Sequence, residues 1–179
     1  MLQFPQMIQK IINSADPRLR KISKRVVKID KKILLLIEDM WETLLDQKDP
    51  EGVGLAAPQI GKNLRIFIMQ NEGVSRTVIN PEIISKSKVK NKGGKEAVLE
   101  GCLSIPHYYG PLTRSEKVEL KYKNKEGKNI TEKFEGFLAQ IVLHEIDHLD
   151  GILFVDKLLS QDKPLYKQGK DGSWEEVGF

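Results

Sequence analysis

The chain has 179 residues, of which 40% are hydrophobic and 30% charged, and its formal net charge is +4. This length predicts one compact domain with a full core and leaves little room for a second. The single cysteine excludes an internal disulfide and favours a reducing compartment. The first residues lack a signal-peptide pattern, and no apolar run approaches the length of a membrane span. We therefore expect a cytoplasmic protein that does not enter a membrane.

The first half of the chain contains one strongly periodic helix pattern. Residues 8–13 form a short apolar segment, and a turn is expected at 16–17 because proline disfavours helix in the residue before it. Apolar side chains then recur at helical spacing over 33–45, with Asp30 placed to cap the helix. The pattern predicts an amphipathic helix that ends near Pro50.

Strands and a second helix are predicted after that point. The helix runs from Glu135 to Leu149 by its apolar spacing, and Gly151 can end it in a left-handed cap. The order helix, strands, helix predicts an α+β class, a single domain with antiparallel sheets packed around a central C-terminal helix. We place the domain at 1–162 and a polar tail of unknown role at 163–179. The predicted strands are 64–70, 77–84, 96–99, 116–123 and 129–134.

A lysine-rich stretch with two glycines lies between the second and third predicted strands. A solvated hairpin tip explains it, and a contact with an acidic partner such as ribosomal RNA is the alternative. No aromatic residue is interleaved there, so no specific nucleic-acid site is predicted. The lysines are Lys86, Lys88, Lys90, Lys92 and Lys95.

The second helix carries the sequence His-Glu-Ile-Asp-His at 144–148. Positions four apart share a helix face, so His144 and His148 can bind one ion while Glu145 reaches a water on it. This spacing predicts the metal site of a hydrolase. The remaining histidine, His107, is expected in a loop that faces the surface or a substrate.

Two imidazoles leave a tetrahedral ion short of a third protein ligand. Metzincin-type proteases would place a histidine where this chain has Phe154, so that class is excluded. Thermolysin-like enzymes use a downstream glutamate, but the first ones here are Glu175 and Glu176 in the polar tail. Cys102, within Glu-Gly-Cys-Leu-Ser, is the better candidate, because the glycine before it permits close backbone approach and a divalent ion deprotonates a coordinating thiol. A small buried hydrophobic residue is the alternative for a cysteine that stands alone.

A third motif, Gly-Val-Gly-Leu-Ala-Ala-Pro-Gln, occupies 52–59. A phosphate-binding P-loop is excluded because Ala56 and Asn63 stand where that motif needs glycine and a hydroxyl residue. The pattern indicates a loop that lets backbone approach a substrate, with Gln59 as an amide donor. A tight apolar turn is the alternative.

Taken together, the motifs at 52–59, 100–104 and 144–148 resemble, in order and spacing, those of the peptide deformylases. The resemblance extends over roughly residues 10–155. It implies a metal-dependent hydrolase that removes the formyl group from the N-terminal formylmethionine of nascent polypeptides and releases formate. The implied metal ligands are Cys102, His144 and His148.

The resemblance also implies roles for groups around the ion. Glu145 would act as general base on the water and deliver the proton to the departing amine. The Gln59 side chain and the Leu103 backbone N–H would hold the oxygen that gains charge. Glu100 and Asp147 could each orient an imidazole or serve only as salt-bridge partners. The implied substrate-binding residues are Val53, Gly54, Val98, Glu100, Phe137 and Ile141.

Several alternatives stay open at this stage. Two nitrogens and a thiolate suit zinc or ferrous iron; the resemblance favours Fe²⁺, with Zn²⁺, Ni²⁺ or Co²⁺ as alternatives. The chain could instead be a metallopeptidase that cuts internal amide bonds, or a non-catalytic, metal-stabilised protein on the ribosome. The expected partners are formylmethionyl nascent peptides and, transiently, the ribosome. After Pro106 the chain reads His-Tyr-Tyr, where some family members carry an arginine.

Overall fold

The computed structural model describes residues 7–89 and 99–178. Within these ranges the helices are α1 (Lys31–Asp46), α2 (Gly136–Leu149) and α3 (Phe154–Ser160), with short 3₁₀ helices at Pro17–Arg20 and Ala57–Ile60. The strands are β1 (Gly54–Ala56), β2 (Ile66–Asn71), β3 (Val74–Lys86), β4 (Glu100–Cys102), β5 (Ile105–Gly110), β6 (Lys117–Lys123), β7 (Asn129–Glu135), β8 (Leu165–Gln168) and β9 (Trp174–Val177).

The strands form two antiparallel sheets. One has the order β1-β2-β3-β6-β7, and the other has the order β4-β5-β8-β9. The α+β class and the antiparallel sheets predicted from the sequence are therefore confirmed. Among the described residues, no helix combines the length and apolar character needed to cross a membrane.

Helix α1 follows its sequence pattern closely. The Asp30 carboxylate accepts hydrogen bonds from the backbone N–H groups of Lys32 and Ile33, at 3.0 and 3.1 Å. These bonds satisfy two of the donors that a helix start leaves unpaired. The apolar face packs against one side of the five-stranded sheet, through residues that include Met40, Leu44, Ile66, Ile68 and Ile79.

Helix α2 is buried from Ile141 to Leu149, including its polar residues at 144, 145, 147 and 148, and packs on the other face of the same sheet. Polar side chains in such an enclosed helix need partners inside the protein. Gly151, with a φ of 75°, follows its end as the sequence predicted. Val142 and Leu149 of the helix share a buried cluster with Phe67, Met69 and Leu120 of the sheet. Residues 144–148 are consequently held inside the protein on the most enclosed helix.

Three segments differ from the sequence-based expectation, and a fourth lies almost wholly outside the described residues. The expected loop at 52–59 contains strand β1 and the start of a 3₁₀ helix. Residues 105–110 form a strand, although Pro106 and Gly110 hide its pattern, and α3 is too short to show helical periodicity. The predicted strand at 96–99 lies outside the described residues except for Leu99, which is not in a strand.

The polar tail at 163–179 also has a regular structure. Strands β8 and β9 form a hairpin, and β8 pairs with β5. Two of its apolar side chains, Leu165 and Val177, pack in a small cluster with Phe154 and Leu158 of α3. Two anchors in a polar segment are too few to produce a recognisable strand pattern. The tail is thus part of the sheet that carries Cys102.

Candidate metal centre and active site

The three predicted metal ligands lie close together, two on helix α2 and one at the end of strand β4. His144 and His148 project from one face of α2, with their ring centroids 4.8 Å apart, and Cys102 ends strand β4. The Cys102 Sγ lies 3.2 Å from the His148 Nε2. One ligand atom from each residue lies within 4.8 Å of the others, and all three residues are buried. The arrangement brings together the predicted ligand set.

Glu100 holds His144 from behind. Its Oε1 lies 2.7 Å from the His144 Nδ1, which leaves Nε2 of that ring as the nitrogen available to a metal. Arg114 donates to both Glu100 oxygens, at 2.6 Å each. Although burial raises the pKa of Glu100, the bonds from Arg114 and His144 lower it to about 2. Glu100 therefore lines the cavity as an anion whose oxygens are already bonded within the protein.

Arg114 was not identified by sequence reasoning. It lies in the connection between β5 and β6, is 8% exposed at its side chain, and also donates to Asp147 at 2.8 Å. Asp147 in turn lies 3.3 Å from the Lys157 Nζ. Nothing distinguishes this arginine from the chain's other cations until the fold encloses it between two carboxylates. Glu100 and Asp147 thus share one buried cation, Arg114.

The surroundings of Glu145 differ from those of Glu100. It is buried beside His144, but its Oε2 has no hydrogen-bond partner among the residues that the structure describes. Burial raises the pKa of Glu145 to about 7. Strand β1 passes so close that a Cβ on Gly54 would overlap the Glu145 Oε1 and lie 3.0 Å from the Ile141 Cγ2. Glycine at 54 therefore leaves room for this carboxylate.

Gln59 is held with its amide nitrogen toward Cys102. Its Oε1 accepts a hydrogen bond from the Ala56 backbone N–H at 2.8 Å, which fixes which end of the amide is the oxygen. Its Nε2 donates to the Ser104 Oγ at 3.4 Å and the Cys102 Sγ at 3.6 Å. Gln59 is 1% exposed, so this donor is aimed into the protein rather than at bulk water.

A cavity of about 270 Å³ opens in front of these groups. Ile141 forms part of a buried wall, whereas Phe137 is 41% exposed near the start of α2. Tyr109 and Gln140 also line the cavity and were not predicted. The expectation of a loop at His107 is wrong, because His107 lies in strand β5, but it does line the cavity. Val98 lies outside the described residues. Predicted residues on the cavity wall are Val53, Gly54, Gln59, Glu100, Cys102, Leu103, Phe137, Ile141, His144 and Glu145.

The donor set fits a divalent transition-metal ion. Two imidazole nitrogens and one sulfur, all buried and close together, form the kind of three-ligand site that leaves a position for water or substrate. The unpaired Oε2 of Glu145 is a buried acceptor in the same enclosure. Such an oxygen is costly unless it finds a donor. The centre can therefore hold a metal ion with a hydrogen-bonding group nearby.

One protein family shares its sequence with this chain over most of the chain's length. The sequence profile described as polypeptide deformylase matches residues 8–164. The chain belongs to this family. The peptide deformylase of Pseudothermotoga lettingae is 45% identical over 154 residues, which cover 86% of this chain and 85% of that protein.

Solved structures of family members have the same fold. A peptide deformylase from Legionella pneumophila superposes with a TM-score of 0.76 at 42% identity, covering 85% of this chain and 86% of that one. A peptide deformylase from Acinetobacter baumannii, solved with Met-Ala-Ser bound, gives a TM-score of 0.76 at 31% identity, with coverages of 86% and 99%. The resemblance stated from the three motifs is confirmed.

Proposed function

We propose that this deformylase-family chain hydrolyses the formyl amide of N-formylmethionyl peptides and releases formate and a free amino terminus. The observation that carries the proposal is the unpaired Glu145 Oε2 beside the cluster of Cys102, His144 and His148, inside a cavity that also contains Gln59. Family membership supports the same reaction.

Cys102, His144 and His148 would hold one divalent ion. A bound ion supplies Lewis-acid chemistry, which lowers the pKa of a coordinated water toward neutrality and polarises a carbonyl oxygen. The bond from Glu100 to the His144 Nδ1 supports this role, because it directs the other ring nitrogen to the ion. Ferrous iron is our preferred ion, and Zn²⁺, Ni²⁺ and Co²⁺ suit the same ligands.

Glu145 is proposed as the general base and then the general acid. Its Oε2 takes a proton from the attacking water and later gives it to the amine nitrogen that leaves the formyl carbon. A carboxyl with a pKa of about 7 suits both steps at neutral pH, since neither protonation state is strongly disfavoured. Gly54 supports the role by leaving the carboxylate free of a neighbouring side chain.

Gln59 and Leu103 are proposed to stabilise the oxygen that becomes negative during attack. The Gln59 amide is already held by the Ala56 N–H, so its donor needs no reorganisation when charge develops. The backbone N–H of Leu103, which follows Cys102 on the cavity wall, is the proposed second donor. Losing one such donor costs about 3 kcal/mol of barrier.

The methionine side chain is assigned to the apolar part of the cavity. Val53, Phe137 and Ile141 line it beside Glu145, and none of them offers a competing polar side chain. The peptide backbone would lie along β1, which is an edge strand of its sheet and can pair with an extended segment. The A. baumannii relative, which binds Met-Ala-Ser, supports a short extended peptide as the ligand.

We place the reaction in the cytoplasm, where nascent chains emerge from the ribosome. A transient contact with the ribosome belongs to the same proposal. The net charge of +4 supports it, since basic surfaces attract phosphate-rich partners without specificity. Lys86 ends β3, but the lysines at 90, 92 and 95 lie outside the described residues.

A matched pair of peptides tests the function. Anaerobically purified, metal-analysed protein is given formyl-Met-Ala-Ser or free Met-Ala-Ser, and both formate and peptide fragments are measured. We expect formate from the first peptide and no fragments from either. Cleavage of the Met-Ala bond would support a metallopeptidase instead, and no turnover by metal-loaded protein would support a non-catalytic member. Metal analysis of the same sample identifies the ion.

A further inference from the structure

The C-terminal hairpin places an aromatic pair at the cavity wall. Tyr109 of β5 lines the cavity and lies opposite Tyr166 of β8. Side chains directly opposite each other share a sheet face, and so do residues two apart on a strand. The registers of β8 and β9 therefore put Trp174 on the same face as Tyr109. The two rings meet edge to face, with centroids 5.4 Å apart and an interplanar angle of 72°.

Tyr109 is also fixed from the side of the metal centre. It lies opposite Gly101 of β4, one residue before the ligand Cys102. A Cβ on Gly101 would lie 2.6 Å from two carbons of the Tyr109 ring. Only glycine allows the ring to pack this closely on the strand. The position of Tyr109 is therefore tied to the strand that delivers Cys102.

The segment after α1 also contributes to the cavity wall. Pro50 and Glu51 line the cavity together with Tyr109. Burial, and in addition the Asp49 carboxylate, raise the pKa of Tyr109, so the phenol remains neutral at physiological pH. Tyr109 thus presents an uncharged aromatic ring to the cavity, in addition to the apolar residues that we assign to methionine.

We propose that Tyr109, positioned by Trp174, is a specificity-determining wall that favours apolar and aromatic side chains in the residues after formylmethionine. The proposal rests on the proposed function and deepens it, because it assigns a binding role to the hairpin at 165–177. An aromatic ring held on two sides loses little freedom on binding, and it offers its face and edge to a peptide side chain. Trp174 does not line the cavity itself, so it acts only through Tyr109.

The test compares substrates that differ only in the residues after methionine. Formate release is measured for formyl-Met amide, formyl-Met-Phe-Ser and formyl-Met-Ala-Phe, with wild type, Trp174→Ala, Trp174→Phe and Tyr109→Ala. We expect Trp174→Ala and Tyr109→Ala to raise the KM of at least one phenylalanine peptide, relative to that of formyl-Met amide, by about three- to tenfold. The ratio of kcat between each phenylalanine peptide and formyl-Met amide should stay unchanged, and Trp174→Phe should restore the KM ratio.

Glu175→Ala is the matched control, because Glu175 is exposed on the same strand and points to the opposite face. It should leave the KM ratio unchanged. Equal KM changes for all three substrates in Trp174→Ala would show a merely structural role and overturn the proposal. An unchanged KM ratio in Trp174→Ala would overturn it as well.

A binding arm separates this proposal from the proposed function. Calorimetry measures the affinity of wild type and Trp174→Ala for the unformylated peptides Met-Phe-Ser and Met-Ala-Phe and for Met amide. A selective loss of affinity for the phenylalanine peptides in Trp174→Ala supports the wall, even if wild type releases no formate. The same loss for Met amide, or no loss for any of the three, would overturn it.

Discussion

Two buried glutamates close to His144, Glu100 and Glu145, differ in their hydrogen-bond partners. Glu100 is 4% exposed and Glu145 is 3% exposed, so burial does not distinguish them. Burial raises the pKa of both, but donors from Arg114 and His144 lower that of Glu100 to about 2, whereas that of Glu145 is raised to about 7. The difference shows that hydrogen-bond donors, rather than depth, decide which carboxylate is a fixed anion and which can exchange a proton.

The largest effect is expected when Arg114, the cation bonded to Glu100, is replaced. Arg114→Met removes the cation that Glu100 and Asp147 share. Among the described residues this leaves only His144 on Glu100 and Lys157 on Asp147. Breaking a buried ion pair in this way typically costs about 3–5 kcal/mol. Urea unfolding of the metal-free protein measures the loss. As a control, Arg25→Met removes an exposed partner of Glu82 and should cost less than about 1 kcal/mol. Equal losses in both variants would contradict the assigned importance of the network.

The next largest effect is expected for Gln59, the proposed hydrogen-bond donor to the oxyanion. Gln59→Ala should lower kcat for formyl-Met-Ala-Ser about 100-fold, which corresponds to about 3 kcal/mol of barrier, while changing KM little. Gln59→Glu keeps the acceptor that the Ala56 N–H needs but loses the amide donor, so it isolates the donor's role. We expect both variants to be similarly slow. A glutamate variant with wild-type kcat would exclude Gln59 as a donor to the oxyanion.

A smaller effect should appear in metal affinity when the orienting carboxylate is changed. Glu100→Gln weakens the acceptor of the His144 Nδ1–H, and loss of such a partner typically costs about 10- to 100-fold in affinity. Competition with a chelator measures it. Asp147→Asn is the matched control, since Asp147 shares Arg114 but has no bond to a ligand imidazole among the described contacts. The same affinity loss in both variants would mean that Glu100 acts through stability alone.

The smallest effect is expected from a change that lowers the stability of the fold at a distance from the metal centre. Asp30→Ala removes the cap of α1 and should lower the free energy of unfolding by about 1 kcal/mol. Because α1 packs on the face of the sheet opposite α2, metal stoichiometry and formate release should not change. A parallel loss of bound metal would show that the centre responds to general destabilisation, and the comparison of Glu100 with Glu145 would then lose its meaning.

The sequence predicts those parts of the molecule whose signals are local or repeated. Helix α1 is indicated by its apolar spacing and by Asp30, and α2 by its apolar run and its two histidines. The chemical logic of a metal centre then leads to Cys102, although it lies on another element. The spacing of residues on one helix and the number of ligands that a metal ion requires are constraints that apply without knowledge of the fold.

The remaining parts depend on contacts between distant residues. Arg114 reaches Asp147 across 33 positions, and only the packing of its loop against α2 makes it a buried cation. The same holds for Trp174, whose meaning depends on the pairing of β8 with β5. A polar hairpin with few apolar anchors looks like a tail until the sheet that receives it is known.

Glu145→Gln tests the central claim most directly, because it keeps the shape of the side chain and removes its ability to take a proton. The variant should bind one equivalent of metal per chain, as wild type should, since Glu145 is not among the grouped ligands. Formate release from formyl-Met-Ala-Ser should fall by about 100-fold or more, as expected when a general base is lost. Near-wild-type formate release with metal bound would contradict the assignment of Glu145 as the proton carrier.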